Sequence, residues 1–185
     1  IGLLLFILPF LFIALMIKLL MPGPVFFKQL RIGKNGKPFR LIKFSSMKVA
    51  AGKSAGSFDA GDSSRITPLG RFLRKTKLDE LPQLINVLKG DMSIVGPRPE
   101  VKQWTEVYPE KWKIAHTVKP GITDNASIVF RNEEEILKSS ENPTETYQYE
   151  ILPQKLDLYI EYVYNRSVLG DMKIIFKTLI TVFFK

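Results

Sequence analysis

The sequence predicts an α/β fold, mainly helical with short strands, in a compact membrane-associated domain. Residues 1–17 contain no charge, short apolar runs between residues 25 and 47 are separated by turn residues, and later apolar residues recur every three or four positions. Because 185 residues fit one domain of ordinary size, we expect residues 1–22 to be a membrane-inserted helix and residues 23–185 to form a single domain.

The hydrophobic N-terminal segment allows more than one arrangement in a membrane. A helix needs about 20 apolar residues to cross a hydrocarbon core of roughly 30 Å, and the first ionisable side chain here is Lys18. Spanning therefore requires Lys18 to reach toward the interface. Pro9 removes one helical hydrogen bond and favours a kinked, re-entrant helix that returns to the face it entered. A cleaved signal peptide is disfavoured, because no small-residue cleavage site follows Leu20.

The net charge of +9 is concentrated just after this segment. The basic residues are Lys28, Arg31, Lys34, Lys37, Arg40, Lys43 and Lys48. Positive residues beside a membrane segment stay on the cytoplasmic side and attract anionic lipids by about 1 kcal/mol each. Nucleic acid is not an expected partner, since no helix-turn-helix, zinc or aromatic RNA-binding motif accompanies the charge. The absence of cysteine excludes thiolate catalysis and disulfides.

Turn residues and periodicity predict the remaining elements. A hairpin is expected around residues 34–36, a Gly- and Ser-rich loop at 50–64, and helical structure from Leu69, with Gly90 ending a helix. Residues 96–99 contain two prolines and a glycine and cannot continue a regular element. Further predictions are a helix at 104–114, an extended segment at 127–130, a helix at 154–164 and an amphipathic interfacial helix at 171–184.

The stretch from Leu78 to Gln83 carries the strongest chemical signal. Pro82 fits a helix only in its first turn, which places Asp79 at or near the N-cap. Backbone N–H groups at that end would stabilise the ionised carboxylate and lower the pKa of Asp79. Basic residues precede it at Arg71, Arg74, Lys75 and Lys77. They supply the positive field that an anionic pyrophosphate substrate requires.

These motifs resemble the bacterial sugar transferases, the monotopic phosphoglycosyl transferases. The resemblance rests on residues 43–47, 65–71, 78–83, 86–93 and 95–99, which occur in the family's order and spacing. It continues more weakly through residues 120–123, 131–132 and 157–171. The chain departs from the family pattern at Leu8, before Pro9, where the family commonly has Ser, and at Asp124, where it often has Gly.

The resemblance implies transfer of a sugar-1-phosphate from a UDP-sugar to undecaprenyl phosphate. This would be the first membrane step of bacterial glycan assembly, such as exopolysaccharide synthesis, on the cytoplasmic face of the inner membrane. Asp79 would attack the β-phosphate, form a covalent aspartyl phosphosugar and release UMP, with Glu80 as the second catalytic residue. Mg²⁺ would bridge the pyrophosphate, and Asp79 would be its protein ligand.

Four basic residues are further candidates for binding the substrate phosphates. Lys43, Arg74 and Arg131 match family positions, and Arg98 is fixed between two prolines, which suits a bidentate phosphate contact. Solvated surface charge is the alternative for Lys43 and Arg74, and a structural salt bridge is the alternative for Arg98. We interpret His116, the single histidine, as an ordinary polar residue, and residues 133–135 as a solvated acidic face.

A second function class also fits part of the sequence. A non-catalytic, membrane-tethered basic module could use the same charge and amphipathic ends to bind anionic lipid or a protein partner. Such a module would not need Asp79, Glu80 and Arg98 on segments defined by helix breakers. A polytopic transferase is disfavoured by the single strongly hydrophobic segment. The sugar, the glycan pathway and the oligomeric state, including a homo-oligomer, stay open.

Overall fold

The computed structural model describes residues 2–48 and 65–184. Helix α1 (Gly2–Leu20) continues through Pro9 and is followed by an antiparallel hairpin of β1 (Phe26–Ile32) and β2 (Pro38–Phe44). A single 3-10 turn, Lys34–Gly36, joins the strands, with Asn35 and Gly36 in the left-handed region. The hairpin prediction is confirmed. The predicted loop at 50–64 lies outside the described residues.

The central part of the chain consists of short elements. Helix α2 (Pro68–Lys75) is followed by a 3-10 turn at Leu78–Glu80, here called the acidic turn, and by α3 (Gln83–Leu88) and β3 (Ser93–Val95). Gly90 has a φ of 83° just beyond α3, which confirms that a glycine ends this helix. The irregular connection predicted at 96–99 is also observed.

The second half is almost entirely helical. In chain order it contains α4 (Lys102–Thr105), α5 (Pro109–Ala115), β4 (Gly121–Thr123), α6 (Asn125–Val129), α7 (Glu133–Ser139), α8 (Pro143–Glu145), a π-helical segment (Thr146–Ile151), α9 (Leu152–Asn165) and α10 (Val168–Phe184). The helix predicted at 154–164 is thus confirmed as part of α9. Helix α10 begins three residues earlier than predicted, because the hydroxyl of Ser167 caps it by accepting from the Gly170 N–H.

The described residues form two sheets of two strands each. The hairpin is one, and a short parallel pair of β3 and β4 is the other. The fold class is confirmed as mixed α/β and mainly helical, and the described part contains no doubly wound sheet. Within residues 2–48 and 65–184, no helix combines the length and apolar character needed to cross a membrane.

Buried apolar side chains form two clusters. In the first, α1 packs on the hairpin and α2 through Ile13, Ile17, Phe44 and Leu73. The second joins α4, α5, α6 and α9, and Trp104, Trp112, Leu156 and Tyr159 are among its buried members. One side of α1 therefore already packs against the rest of the protein. A bilayer could contact only the other side of this helix.

A buried ion pair connects the hairpin to the second cluster. Arg31 of β1 lies 2.9 Å from the carboxylate of Glu100. The same carboxylate accepts from the Tyr147 hydroxyl at 2.8 Å and from the Val101 N–H at 3.0 Å. Glu100 is 5% exposed, and its partners supply the hydrogen bonds that a buried carboxylate needs.

The single helix predicted at 104–114 is wrong, because α4 ends at Thr105 and α5 begins at Pro109. Proline cannot donate the helical hydrogen bond and restricts the residue before it, so Tyr108 takes a non-helical conformation. The two short helices remain in contact, since the indole N–H of Trp112 donates to the Trp104 carbonyl at 2.9 Å.

The extended segment predicted at 127–130 is also wrong, because residues 125–129 form α6. The carboxylate of Asp124 accepts from the backbone N–H of Ser127 at 2.8 Å and from its hydroxyl at 2.6 Å. This cap, together with complete burial of Ala126, outweighs the strand preference of the adjacent branched residues.

The Glu100 network should make stability depend on pH in the acid range. Burial alone would raise the pKa of Glu100, but Arg31, Lys155 and the Tyr147 hydrogen bond hold it below its ordinary value of 4.5. The resulting stabilisation is present above that value and is lost as the pH falls through the lower folded pKa. We expect Glu100→Gln to cost roughly 3 kcal/mol at neutral pH.

Urea unfolding measured at several pH values tests this expectation. The free energies of unfolding of the wild type and Glu100→Gln should converge as the pH falls below the ordinary Glu pKa of 4.5 and through the lower folded pKa of Glu100. Glu141→Gln, at an exposed position, is the matched control and should follow the wild type throughout. A constant difference between wild type and Glu100→Gln across that range would contradict the assignment.

Candidate active site

Three separate segments bring the predicted site residues together. Strand β2 carries Lys43, the acidic turn carries Asp79 and Glu80, and the connection after β3 carries Arg98. Lys77, just before the acidic turn, has a φ of 56°, a left-handed conformation that is uncommon for a residue with a side chain. Asp79 and Glu80 are each 7% exposed. The carboxylates of the sequence motif are therefore buried, as a solvated surface pair would not be.

Glu80 is the centre of a buried ion-pair cluster. Its carboxylate receives both terminal nitrogens of Arg98, at 2.5 and 3.2 Å, and the amine of Lys43 at 3.1 Å. Burial alone would raise the pKa of Glu80, but Arg98 and Lys43 hold it well below its usual range. Glu80 in turn raises the pKa of Arg98. Glu80 is thus a permanent anion that fixes two cations.

Asp79 differs from its neighbour. Burial raises its pKa, and the positive charge of Lys43 only partly opposes this effect. Oδ1 of Asp79 is buried and has no hydrogen-bond partner among the described residues. The two adjacent carboxyl groups therefore have pKa values shifted in opposite directions, a pattern found where carboxylates have different chemical roles.

The predicted local geometry of Asp79 needs correction. Helix α3 begins at Gln83 with Pro82 at its N-cap, so Asp79 lies in the preceding 3-10 turn. The expected lowering of its pKa by helical N–H groups is wrong, because burial outweighs the neighbouring positive charges. The buried side of α3 is also unexpected: Gln83 and Asn86 are 1% exposed, whereas Leu88 is 64% exposed.

The other two predicted phosphate-binding residues lie farther from Glu80. Arg74, on α2, pairs with Glu134 of α7, although its charge also lowers the pKa of Asp79. Arg131 is exposed, and within residues 2–48 and 65–184 it makes no hydrogen bond or ion pair with the cluster. The structure therefore brings Lys43, Asp79, Glu80 and Arg98 together and leaves Arg131 apart.

The interpretation of residues 133–135 as a solvated acidic face is wrong for Glu133. Glu133 binds the amine of Lys155 at 2.9 Å, and Lys155 is 3% exposed. Glu134 is exposed but pairs with Arg74. Glu133 and Glu134 are thus paired with basic residues of α9 and α2, which the run of three glutamates in the sequence does not show. His116 stacks on Trp112, and burial lowers its pKa.

Two buried residues next to the cluster were not predicted as site residues. Asp124 contributes to the high pKa of Arg98 and is itself 1% exposed, and burial raises the pKa of Asp124. Asn86 binds the backbone of β2 beside Lys43. Composition alone could not reveal either one, because only folding places Asp124 near Arg98 and Asn86 against the strand.

Asp79 could hold a magnesium ion together with substrate oxygens. Mg²⁺ is usually bound through one or two carboxylates together with substrate phosphates. Among the described residues, no three His, Cys, Asp or Glu side chains gather into a metal-ligand group, and Glu80 is engaged by two cations. The unpartnered oxygen of Asp79 is the available ligand. A single carboxylate of this kind suits an ion that a pyrophosphate also coordinates.

Comparison with known proteins assigns the chain to a family. The family profile described as "Bacterial sugar transferase" matches residues 1–185. The chain is 43% identical over 171 residues to an *Escherichia coli* K12 protein named UDP-glucose:undecaprenyl-phosphate glucose-1-phosphate transferase, covering 90% of this chain and 34% of that protein. It is 42% identical over 169 residues to the *Bacillus subtilis* 168 uncharacterized sugar transferase EpsL, covering 91% and 75%.

A third relative comes from *Aeromonas hydrophila*. It is named UDP-N-acetylgalactosamine-undecaprenyl-phosphate N-acetylgalactosaminephosphotransferase and is 36% identical over 172 residues, covering 91% of this chain and 38% of that protein. The chain thus spans little more than a third of the *E. coli* and *A. hydrophila* proteins. Since the family profile extends over the whole chain, this chain belongs to the bacterial sugar transferase family.

Proposed function

We propose that this chain transfers a sugar-1-phosphate from a UDP-sugar to undecaprenyl phosphate. The observation that carries the proposal is a buried Asp79 beside Glu80, Lys43 and Arg98, which combines a reactive carboxylate with fixed cations. The names of the *E. coli* and *A. hydrophila* relatives support the two substrate classes. Those names specify glucose and N-acetylgalactosamine, so they do not select one sugar for this chain.

In the first step, a carboxylate oxygen of Asp79 attacks the β-phosphorus of the UDP-sugar. The bond between that phosphorus and the bridging oxygen breaks, and UMP leaves with the electron pair. The product is an aspartyl phosphosugar. In the second step, an oxygen of undecaprenyl phosphate attacks the same phosphorus, the bond to Asp79 breaks, and the carboxylate is regenerated. Covalent catalysis thus divides one displacement into two.

The neighbouring charges suit this chemistry. Lys43 and Arg98 are held as a rigid pair by Glu80, so they can stabilise phosphate charge without reorganising during the reaction. Arg98 offers a planar group suited to two phosphate oxygens. Asp79 would hold Mg²⁺, and the bound ion would neutralise charge on the pyrophosphate. Arg74 and Arg131 are proposed as outer phosphate contacts.

We also propose that the domain works on the cytoplasmic face of the bacterial inner membrane, with α1 inserted as a re-entrant helix. Support comes from apolar side chains that the protein leaves exposed, including Leu8 and Leu19 of α1 and Leu169 and Phe176 of α10, each at least 65% exposed. A helix that presents such a surface is stabilised in the lipid interface. The alternative function, a non-catalytic membrane-tethered module, is less well supported, because it does not account for the buried carboxylates of Asp79 and Glu80.

Replacing Asp79 tests the covalent step. Asp79→Asn keeps the shape of the side chain but removes the nucleophile. We expect release of UMP from a UDP-sugar, measured with Mg²⁺ and without acceptor, to fall by at least about 10³-fold, which corresponds to roughly 4 kcal/mol of barrier. Asp157→Asn is the matched control, since Asp157 is exposed, and should retain full release. UMP that appears only with polyprenyl phosphate present would instead indicate direct transfer.

Replacing Lys43 tests the electrostatic assignment. Lys43 is the strongest of the charges that lower the pKa of Asp79 against the effect of burial. Lys43→Met would therefore raise the pKa of Asp79 further, and the acid limb of the kcat/KM profile should move to higher pH. The exposed Lys138 provides a control, Lys138→Met, that should leave the limb in place. A limb that moves to lower pH in Lys43→Met would contradict the assignment.

The absence of cysteine makes topology accessible to thiol labelling. Single cysteines at Gly2 and at Lys34, in separate variants, would be exposed to a membrane-impermeant reagent in intact bacteria and after lysis. A re-entrant α1 predicts protection of both in intact cells and labelling of both after lysis. Labelling of Gly2→Cys in intact cells, with Lys34→Cys protected, would show that α1 spans the membrane.

A further inference from the structure

We propose that Asn86 is a positioning residue that sets the location of Lys43. The inference rests on the proposed function, because it takes Lys43 to be part of the phosphate site. Asn86 lies on the buried side of α3 and is 1% exposed. A buried amide at this position costs free energy unless its donors and acceptor are paired. In this structure all of them have partners.

The side-chain amide of Asn86 binds the free edge of β2. Oδ1 accepts from the N–H of Ile42 at 3.1 Å, and Nδ2 donates to the carbonyl of Arg40 at 2.8 Å. These are the two bonds that one residue of a parallel strand would make to a neighbouring strand. Nδ2 also donates to Asp91 at 3.3 Å, which orients the amide. Asn86 therefore takes the place of a third strand at an edge of the hairpin where the described residues supply none.

This contact adjoins the active-site cation. Lys43 follows Ile42 directly, and its amine reaches Glu80 at 3.1 Å. Glu80 itself lies three residues before the start of α3. Strand β2 is thus joined to α3 through the Asn86 amide and to the acidic turn just before α3 through the Lys43–Glu80 pair. Loss of the first would free the strand edge to shift, and a displacement of about 1 Å at a site of this kind costs up to about 10²-fold in rate.

A purely structural role for Asn86 makes different predictions. Removing a buried amide that only stabilises the fold would lower stability, and would reduce activity by the same factor whether or not Lys43 is present. A positioning role acts through Lys43, so it disappears when the Lys43 amine is absent. Double-variant cycles separate these cases because contacting residues are non-additive whereas independent residues are additive.

The experiment measures acceptor-independent UMP release for the wild type, Asn86→Ala, Lys43→Ala and the double variant. We expect Asn86→Ala to reduce the rate by about 10- to 100-fold in the wild-type background and by less than about 3-fold in the Lys43→Ala background. Equal reductions in both backgrounds, or no reduction in the single variant, would overturn the proposal. If Lys43→Ala itself retains the full rate, the proposed role of Lys43 fails instead, and with it the positioning role.

A second pair of variants covers poor folding of Asn86→Ala. Asn86→Asp combined with Asp91→Asn restores a hydrogen bond between positions 86 and 91 but removes the donor to Arg40. We expect a lower thermal stability, because the carbonyl of Arg40 loses its buried donor, and a reduced rate of UMP release at temperatures where the double variant is folded, whereas Asp91→Asn alone should retain that rate. Recovery of both stability and rate in the double variant would show that the Asp91 contact is the important one and would overturn the proposal.

Amide hydrogen exchange tests the contact without any enzymatic assay. In Asn86→Ala, the N–H of Ile42 should exchange at least about 10-fold faster than in the wild type. This N–H lies at the strand edge, and its acceptor is Oδ1 of Asn86. The N–H of Leu41, on the same strand, serves as the internal reference. Unchanged exchange at Ile42 would overturn the proposal. This outcome can be read whether or not the chain has the proposed transferase activity.

Discussion

The site depends on one carboxylate that is shared by two cations. Glu80 binds Arg98 through two nitrogens and Lys43 through one; Glu80 is buried and the two cations are partly buried. Charges in such a place are tolerated only when they are paired and hydrogen-bonded. Without Glu80, two cations would repel each other beside Asp79. Glu80 therefore allows the protein to concentrate positive charge where an anionic substrate would bind.

The segments that carry these charges are short, and polar contacts rather than extensive sheets hold them in register. The Asn86 amide fastens β2 to α3, and Glu100 fastens β1 to the helical cluster through Arg31 and Tyr147. Each is a buried group with its hydrogen bonds made, which gives directional constraint that apolar packing lacks. The two contacts hold the hairpin from opposite sides, and Lys43 lies on that hairpin.

Sequence reasoning succeeded where local chemistry decides structure. Asn35 and Gly36 predicted the hairpin because both adopt the left-handed region, and Gly90 predicted a helix end for the same reason. Prediction from sequence failed where contacts between residues far apart in the chain decide the structure. The pKa of Asp79 follows from burial that no local pattern shows, and the inward-facing amides of α3 reverse what its leucines suggest. The four residues of the cluster were predicted from motifs, whereas their pairing scheme came only from the fold.

In the proposed mechanism, the opposite pKa shifts of Asp79 and Glu80 suit the two neighbouring carboxyl groups to different roles. Both oxygens of Glu80 accept hydrogen bonds from Arg98, and Lys43 also binds one of them, while the pKa of Glu80 is held well below its usual range, so Glu80 would be the weaker nucleophile. Asp79 has an oxygen without a hydrogen-bond partner among the described residues and a pKa raised by burial, so in the proposed mechanism its carboxylate would be less stabilised and more reactive once ionised. Lys43 touches Glu80 and also favours ionisation of Asp79. In this proposal, the position of the Lys43 amine, which Asn86 sets through the edge of β2, links Glu80 to the proposed nucleophile Asp79.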